Sequence, residues 1–241
     1  MDNWTLLFLT LATIGTSGFA AIIGQGGGLI LFAILAIYID LPVLIALHAV
    51  IQLVSNSSRA ALALPHIHWP VIRPILMGII IGAIIITPLL ENINWQWMTP
   101  LMGLYILYMT WGKKIKLPFS LPFPLVSTGL LQGSLGMALG ATGPLTNALL
   151  LAKGLSKDAI VASNAVIMSL SHLMKIILFT LLGISLLEFA LPLVFLCVAA
   201  ILGSYLGSHL RSKIPEHQFM WLFKIILTVL AIRLTLSNLS I

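Results

Sequence analysis

The sequence is poor in charged residues, and this scarcity excludes most kinds of soluble protein. Only 7% of the 241 residues are Asp, Glu, Lys or Arg, whereas 60% are hydrophobic. A water-soluble domain carries about 25% charged residues, so the chain is predicted to lie in a lipid bilayer. At about 20 residues per crossing, a chain of this length has room for many membrane segments and almost no extramembrane domain.

Motifs for redox, metal or catalytic chemistry are also scarce. The chain has one cysteine, Cys197, so neither an internal disulfide nor a CxxC metal site is expected. No HExxH motif, paired carboxylates or nucleophile–base pair is present, and no strand precedes the glycine-rich Gly24–Gly28 segment as a nucleotide fingerprint requires. The net charge of +6 forms no basic cluster interleaved with aromatics. We therefore expect no enzyme activity, cofactor, metal ion or nucleic-acid partner.

Ten apolar runs, mostly bounded by Pro, Gly or charged residues, predict an all-α polytopic membrane protein. Their approximate bounds are 4–22, 28–39, 43–64, 71–90, 97–112, 123–139, 144–153, 158–182, 189–210 and 218–236. The second and seventh runs are too short to cross a core of about 30 Å at ~1.5 Å per residue. Each of them follows a glycine-rich break. We therefore predict about eight full transmembrane helices and two short half-helices.

The connectors between these runs separate by charge when the runs cross in alternating directions. One face receives Arg73, Lys113, Lys114, Lys116, Lys153, Lys157, Arg211 and Lys213. The other face receives Asp2, Asp40, Glu91 and Glu188, with Arg233 as its cation. The positive-inside rule makes the first face cytoplasmic, so both termini are predicted to lie outside.

The second half of the chain repeats a pattern of the first half at an offset of 116 residues. Gly24–Arg59 aligns with Gly140–Lys175 without a gap, and both stretches contain the triplet Ala-Val-Ile at the same place. Five helices per half is an odd number, so the second copy must run through the membrane in the opposite direction, as in many secondary transporters. The predicted organisation is two inverted-topology repeats, 1–112 and 123–241, joined by a cytoplasmic linker, 113–122.

Polar side chains form a stripe along each of two equivalent helices. In the third run they are His48, Gln52, Ser55 and Arg59, at spacings of four, three and four residues that share one helix face. The eighth run carries Asn164, Met168, Ser171 and Lys175 at the same spacings, with Asn56 and His172 one step round their helices. The hydroxyls and amides could instead only join helices to each other, as is common in membranes.

Arg59 and Lys175 are cations inside apolar segments, which marks a functional site by default. All six carboxylates of the chain lie at or near connectors. Since a buried charge needs a compensating group, the natural candidate is a small anion that binds and leaves. The alternative is that each side chain snorkels to the nearer membrane surface.

The two glycine breaks favour an anion site as well. Each opens a short helix whose backbone N–H groups and dipole would face a bound anion, although glycine also allows close helix packing. The predicted anion-binding residues are Gln25, Gly26, Gly27, Gln52, Ser55, Asn56, Arg59, Thr142, Gly143, Asn164, Ser171 and Lys175. His48 and His172 titrate near neutral pH and could couple transport to protons.

Several short motifs resemble the sulfite exporter (TauE/SafE) family of bacterial permeases over nearly the whole chain. They are the glycine-rich Gly18–Gly28 segment, the Asp40-Leu41-Pro42 turn, Gly143-Pro144, the Gly154-Leu155-Ser156-Lys157 turn and Ser171–Lys175 leading into Leu178-Phe179. The resemblance implies a multi-pass protein of the bacterial inner membrane that exports sulfite, sulfoacetate or another small sulfur-containing or organic anion. Gln25 fills a position that is often apolar in the family, and the second glycine break is looser, so the exact anion stays open.

The predicted function is a secondary transporter for sulfite or a related sulfur-containing oxyanion, working by alternating access. Export is implied by the resemblance alone. A passive anion channel would use the same positive pore, and a membrane-embedded enzyme is the alternative from a different class. The expected partners are the small anion and the lipid bilayer, and nothing in the sequence indicates an oligomer.

Overall fold

The protein is described by a computed structural model over residues 2–24, 26–112, 123–139, 143–211 and 216–237. Across these residues the fold is entirely helical, with ten α-helices, two short 3₁₀ helices and no strand. The predicted linker over 113–122 lies outside the described residues. The expected all-α class is therefore confirmed for the described part of the chain.

The helices follow the ten apolar runs within a few residues. Their bounds are α1 Asn3–Ile23, α2 Gly27–Leu35, α3 Leu41–Leu62, α4 Trp69–Leu90, α5 Trp95–Trp111, α6 Pro124–Leu139, α7 Gly143–Ala152, α8 Lys157–Leu181, α9 Ala190–Leu210 and α10 Glu216–Leu236. The 3₁₀ helices are Leu64–His66 and Leu187–Phe189. Helix α2 ends earlier than predicted, because the amides of Ile37 and Tyr38 bond to the carbonyls three residues back and tighten the chain into turns.

Residues at the helix starts satisfy backbone groups that a helix leaves open. The Asp2 carboxylate accepts hydrogen bonds from the Thr5 amide and the Thr5 hydroxyl, both at 2.8 Å. These hydrogen bonds hold the pKa of the Asp2 carboxyl below its usual value, and the bond from the Thr5 amide has the larger effect. Helix α3 carries Pro42 in its first turn, and Ser156 caps α8 through the Ala159 amide. The polar and proline positions between apolar runs thus fix where the helices begin.

Five of the described helical segments are long and apolar enough to cross a membrane. They are Asn3–Ile23, Leu41–Leu62, Trp69–Leu90, Lys157–Leu181 and Leu187–Leu210. Helices α5 and α6, with 17 and 16 residues, are shorter than the roughly 20 residues of a full crossing. These segments support a multi-pass membrane protein. The eight full crossings stay a prediction, since only the described residues bear on the number of spans.

Helices α3 and α8 pack against each other at the centre of the molecule. In each, 61% of the most apolar window is buried, against 39% or less in the other three spans. The rings of His48 and His172 lie 5.6 Å apart, and the hydroxyls of Ser57 and Ser169 lie 3.2 Å apart. From the first contact to the second, the residue number rises on α3 and falls on α8. The two helices are therefore antiparallel.

In two further helix pairs, α1 with α9 and α4 with α6, the helices pack closely at glycine residues. A Cβ atom on Gly203 or Gly207 of α9 would collide with the backbone carbonyl of Ile14 or Gly18 of α1. The same holds where α4 meets α6, at Gly78, Gly82, Gly129 and Gly133. Small residues spaced four apart allow such close backbone contact. The contact numbers rise together in both pairs, so each pair is parallel.

Helices α5 and α10 form the fourth close pair. The Trp111 indole N–H donates to the Thr228 hydroxyl at 2.7 Å, and Gly103 packs against the backbone near Ala231. Because residue numbers run in opposite senses, this pair is antiparallel. Each of the four pairs takes one helix from the first half of the chain and one from the second half. Their directions agree with alternating crossings of the chain.

Candidate anion-binding site

A cavity of about 40 Å³ lies where the starts of α2 and α7 meet the central helices α3 and α8. The α2 and α7 starts contribute Gly26, Gly28 and Gly143. The central helices contribute His48, Gln52, Asn56, Arg59, Asn164, Met168 and His172. The equivalent elements of both halves therefore line one common space.

The first glycine break brings the start of α2 to this cavity, with Gly26 and Gly28 in its lining. Gly24 and Gly26 have φ angles of 90° and 91°, in the left-handed region that favours glycine. The first helical hydrogen bonds of α2 run from the Leu29 and Ile30 amides to the Gly26 carbonyl, at 2.9 and 3.2 Å. The amides of Gly27 and Gly28 precede this ladder. The start of α2 thus has the geometry of an anion-binding helix terminus.

Arg59 is held at the cavity by backbone and side-chain acceptors. Its Nη1 donates to the Ala20 carbonyl at 3.0 Å, and its Nη2 donates to Asn56 Oδ1. Its Nε–H is buried and has no hydrogen-bond partner among the described residues. The Ala20 carbonyl belongs to the last turn of α1, where helix carbonyls carry partial negative charge. Part of the guanidinium charge is balanced in this way, and the Nε–H is among the donors that remain for a ligand.

The two predicted cations lie inside the protein and not at its surface. Snorkelling would leave the charged ends exposed, but Arg59 is only 5% exposed and Lys175 is fully buried. Lys175 does not line the cavity, but it is buried close to His48 and His172, which do. Two basic side chains are therefore buried in or beside the cavity.

Side-chain amides supply further polar groups in the lining. Asn56 Nδ2 donates to the Gln52 carbonyl at 2.7 Å and lies 3.4 Å from Gln52 Oε1. Across the cavity, Asn164 is buried, and its Oδ1, a hydrogen-bond acceptor, has no partner among the described residues. The side-chain Nδ2 is the atom of this amide that can donate to an anion.

Two histidines complete the polar lining. His48 Nε2 donates to the Gly28 carbonyl at 3.0 Å, which leaves Nδ1 of the neutral ring as an acceptor. The Nδ1 atoms of His48 and His172 are both buried, and neither has a hydrogen-bond partner in the described part of the chain. Under the 116-residue offset, His48 corresponds to Asn164 and Asn56 corresponds to His172. Each half thus contributes one histidine and one asparagine, but the histidine of either half stands where the other half has its asparagine.

Most of the residues predicted from the sequence meet at the cavity. Those in its lining are Gly26, His48, Gln52, Asn56, Arg59, Gly143, Asn164 and His172. Gln25 and Thr142 lie outside the described residues. Ser171 is buried but does not line the cavity, as is also the case for Lys175.

Gly27 and Ser55 are also outside the lining, and each has a packing contact. A Cβ atom at Gly27 would collide with the Thr16 carbonyl of α1, so this glycine allows α1 and α2 to approach. The Ser55 hydroxyl lies 3.1 Å from the Ser204 hydroxyl of α9. These contacts agree with the alternative that some small and polar residues join helices.

Sequence reasoning placed Met168 on the α8 stripe but left it out of the predicted binding residues, although it lines the cavity. Its sulfur accepts a hydrogen bond from Gln132 Nε2 at 3.1 Å, and Gln132 Oε1 accepts one from the Thr146 hydroxyl at 3.2 Å. Met168 holds the position equivalent to Gln52 in the repeat. This equivalence is the sequence signal that could have identified Met168 as a lining residue. The other missed residues are Ala20, Gly24, Gly28 and Leu29.

The whole chain can now be compared with known families. The sequence model of the family described as "Sulfite exporter TauE/SafE" matches residues 8–234. The chain belongs to this family. No curated protein and no solved structure gives a significant match. TauE/SafE membership confirms the resemblance seen in the short motifs and implies a membrane transporter of sulfur-related anions.

Membership also gives the cavity a context. In a TauE/SafE chain, a site for a sulfur-related anion needs hydrogen-bond donors and positive charge away from water. The described lining contains a guanidinium, three side-chain amides and the starts of two half-helices, with no Asp or Glu. The chemistry of the lining therefore fits the kind of ligand that the family transports.

Proposed function

We propose that this protein is a secondary transporter that exports a small sulfur oxyanion, sulfite or a close relative, through the cavity between α2, α3, α7 and α8. The observation that carries the proposal is the convergence of two half-helix starts and a buried guanidinium on one small space. Helix N-termini and guanidinium groups are both favoured binders of oxyanions. Discontinuous helices meeting near the membrane midplane are typical of transporter sites.

In this proposal the anion takes the hydrogen bonds that the lining leaves unused. The donors assigned to the anion are Arg59 Nε–H, the side-chain Nδ2 of Asn164 and the backbone amide of Gly28, whose residues all line the cavity. Gly27 lies outside the lining and contributes only through the positive end of α2. Gln52 and Asn56 add side-chain amides. Lys175, Ser55 and Ser171 contribute from behind the lining, through charge or packing. Gln25 and Thr142 remain candidates because they belong to the two glycine breaks.

The volume of the cavity supports a compact ligand. One water molecule needs about 10–15 Å³ on the same measure, so a cavity of about 40 Å³ holds the equivalent of roughly three waters. A single sulfur atom with its oxygens is of this size.

Alternating access between two inverted repeats is the proposed mechanism. Exchanging the halves converts the α1–α9 pair into the α6–α4 pair, and it converts the α3–α8 and α5–α10 pairs into themselves. The parallel crossings of the first two pairs and the antiparallel crossings of the last two support this relation. Rocking one repeat against the other would then open the central cavity to each side in turn.

The proposed orientation places the cation-rich connectors in the cytoplasm and both termini outside, in the inner membrane of a bacterium. The positive-inside rule supports it, since exposed Arg73 and Lys153 fall on the face opposite to exposed Asp40 and Glu188. The outward direction of transport follows from the family description.

Proton coupling through His48 and His172 belongs to the same proposal. The two rings are in contact at 5.6 Å and both line the cavity, so a proton and the anion would occupy adjacent places. Histidine is the side chain whose ordinary titration falls near neutral pH. A shared proton would offset part of the anion's charge during the crossing.

Uptake by purified protein in proteoliposomes tests the proposal. Labelled sulfite, thiosulfate, sulfoacetate and acetate are compared, with Arg59→Ala, Lys175→Ala and the exposed-cation control Arg233→Ala. We expect sulfite uptake to fall about tenfold or more in Arg59→Ala, since a hydrogen bond to a charged group contributes about 1.5–3 kcal/mol. Uptake should also fall in Lys175→Ala, because a buried positive charge behind the lining is removed. Arg233→Ala should transport normally.

The same preparation separates a transporter from a passive channel. With an imposed proton gradient, a coupled transporter accumulates sulfite above its external concentration, whereas a channel only equalises the two sides. Normal anion flux in both Arg59→Ala and Lys175→Ala would overturn the proposed site. Recovery of a chemically altered anion would favour the membrane-embedded enzyme.

A further inference from the structure

Gln52 and Met168 occupy equivalent positions of the two halves and cover the two glycine breaks. They are 116 residues apart, the offset of the repeat, and both line the cavity. A Cβ atom at Gly28 would lie 3.1 Å from Gln52 Oε1, and a Cβ atom at Gly143 would lie 3.9 Å from Met168 Sδ. Each half therefore places one long side chain against the start of its own half-helix.

The chemistry of these two side chains differs. Gln52 offers an amide beside Asn56 and Arg59, so this part of the wall can bond to oxygens. Met168 offers a thioether and no donor. The cavity thus has a polar wall on α3 and an apolar wall at Met168, although the backbone positions are equivalent.

Met168 is fixed in place although methionine is usually adaptable. Its sulfur accepts from Gln132 on α6, and Gln132 accepts from Thr146 on α7. Gln132 and Thr146 are both fully buried. The thioether is therefore anchored to the second half-helix and forms a firm boundary of the cavity.

We propose that Met168 limits the size of the transported anion to compact sulfur oxyanions and excludes organosulfonates that carry a carbon chain. The inference rests on the proposed anion site. The polar wall binds the sulfur-bound oxygens, and a chain extending away from that wall meets the Met168 side chain. As bounded by the described residues, the cavity measures about 40 Å³, a volume that a compact anion would largely take up.

Substrate selection by Met168→Ala tests this inference. The matched variants are Met168→Leu, which keeps an apolar side chain of similar volume, and Met77→Ala, which removes a methionine exposed on α4. Uptake of labelled sulfite and labelled sulfoacetate is measured for each protein in the same proteoliposomes. Adding or removing one methylene in a pocket changes the discrimination between two substrates about 10–200-fold. The ratio of sulfoacetate uptake to sulfite uptake should therefore rise about tenfold or more in Met168→Ala only.

A second variant keeps the inference testable if Met168→Ala does not fold. Gly143→Ala adds a methyl group beside Met168, and its nearest neighbour lies at 3.9 Å, so no clash is expected. The smaller cavity should lower thiosulfate uptake more than sulfite uptake. An unchanged substrate ratio in either variant would overturn the inference, as would equal wild-type uptake of sulfite and sulfoacetate. A wild-type protein that transports no anion would instead refute the proposed function.

Discussion

Arg59 Nη2 donates a hydrogen bond to Asn56 Oδ1 one turn earlier on α3, and both residues line the cavity. The nearest side-chain acceptor for this cation is thus a neutral amide. An amide orients the guanidinium without cancelling its charge, which leaves the charge for an anionic ligand.

The first prediction replaces this amide by a carboxylate. In Asn56→Asp the carboxylate would pair with Arg59 and take the place of the transported anion. We expect sulfite uptake to fall about tenfold or more, because an opposite charge at this distance interacts strongly in a site removed from water. Initial uptake rates in proteoliposomes measure the effect.

Asn56→Ala is the matched control for this prediction. Both variants lose the bond from Asn56 Nδ2 to the Gln52 carbonyl, so the difference between them reports the added negative charge. Equal uptake by the two variants would show that the charge of Arg59 does not serve anion binding.

The second prediction concerns the glycine crossing of α1 and α9. Gly203→Ala places a methyl group against the Ile14 carbonyl, whereas Gly15→Ala on α1 adds one where no atom lies within 4 Å. Overpacking costs about 1–3 kcal/mol, so the first variant should unfold at a lower temperature in detergent and the second should not. Equal melting temperatures would contradict the close contact.

The third prediction separates anion flux from proton coupling. His48→Gln and His172→Gln remove the titrating ring, while glutamine keeps a side chain able to form hydrogen bonds. Downhill sulfite flux should persist, and accumulation driven by a proton gradient should be lost. His66→Gln, at an exposed position in the first 3₁₀ helix, serves as the control. Undiminished accumulation in both cavity variants would exclude these rings as the proton carrier.

The fourth prediction concerns the orientation of the chain. In a Cys197→Ser background, single cysteines at the exposed positions of Asp40 and Glu188 should react with an impermeant maleimide in right-side-out vesicles. Cysteines at the exposed positions of Arg73 and Lys153 should react only in inverted vesicles. Each face is thereby probed in both halves. Labelling of Asp40→Cys and Arg73→Cys from the same side would contradict alternating crossings.

The helices could be predicted from the sequence because their causes are local. Apolar runs, glycine breaks and prolines in first turns are properties of neighbouring residues, and all ten runs are helical. Spacing also predicted that His48, Gln52 and Arg59 share a face, since a helix brings residues three and four apart together. The cavity lining contains all three.

The contacts between distant helices could not be read in this way. Nothing in the neighbourhood of Ser55 indicates that its hydroxyl meets Ser204 of α9. The acceptor for Arg59 Nη1 is the backbone carbonyl of Ala20. Every residue has a backbone carbonyl, so the residue type at position 20 does not indicate this contact. Spacing placed Met168 on the α8 stripe, but its hydrogen bond from Gln132 of α6 is again a contact between distant parts of the sequence.

The glycine crossings have a consequence for how the molecule holds together. Helix α1 finds its close partner α9 in the other half of the chain, and α4 likewise finds α6. These close glycine contacts all run between the two halves of the chain. Neither half therefore keeps them when it is separated from the other. Two fragments produced together in one cell should recombine into a stable complex, whereas either fragment alone would present bare glycine surfaces to lipid.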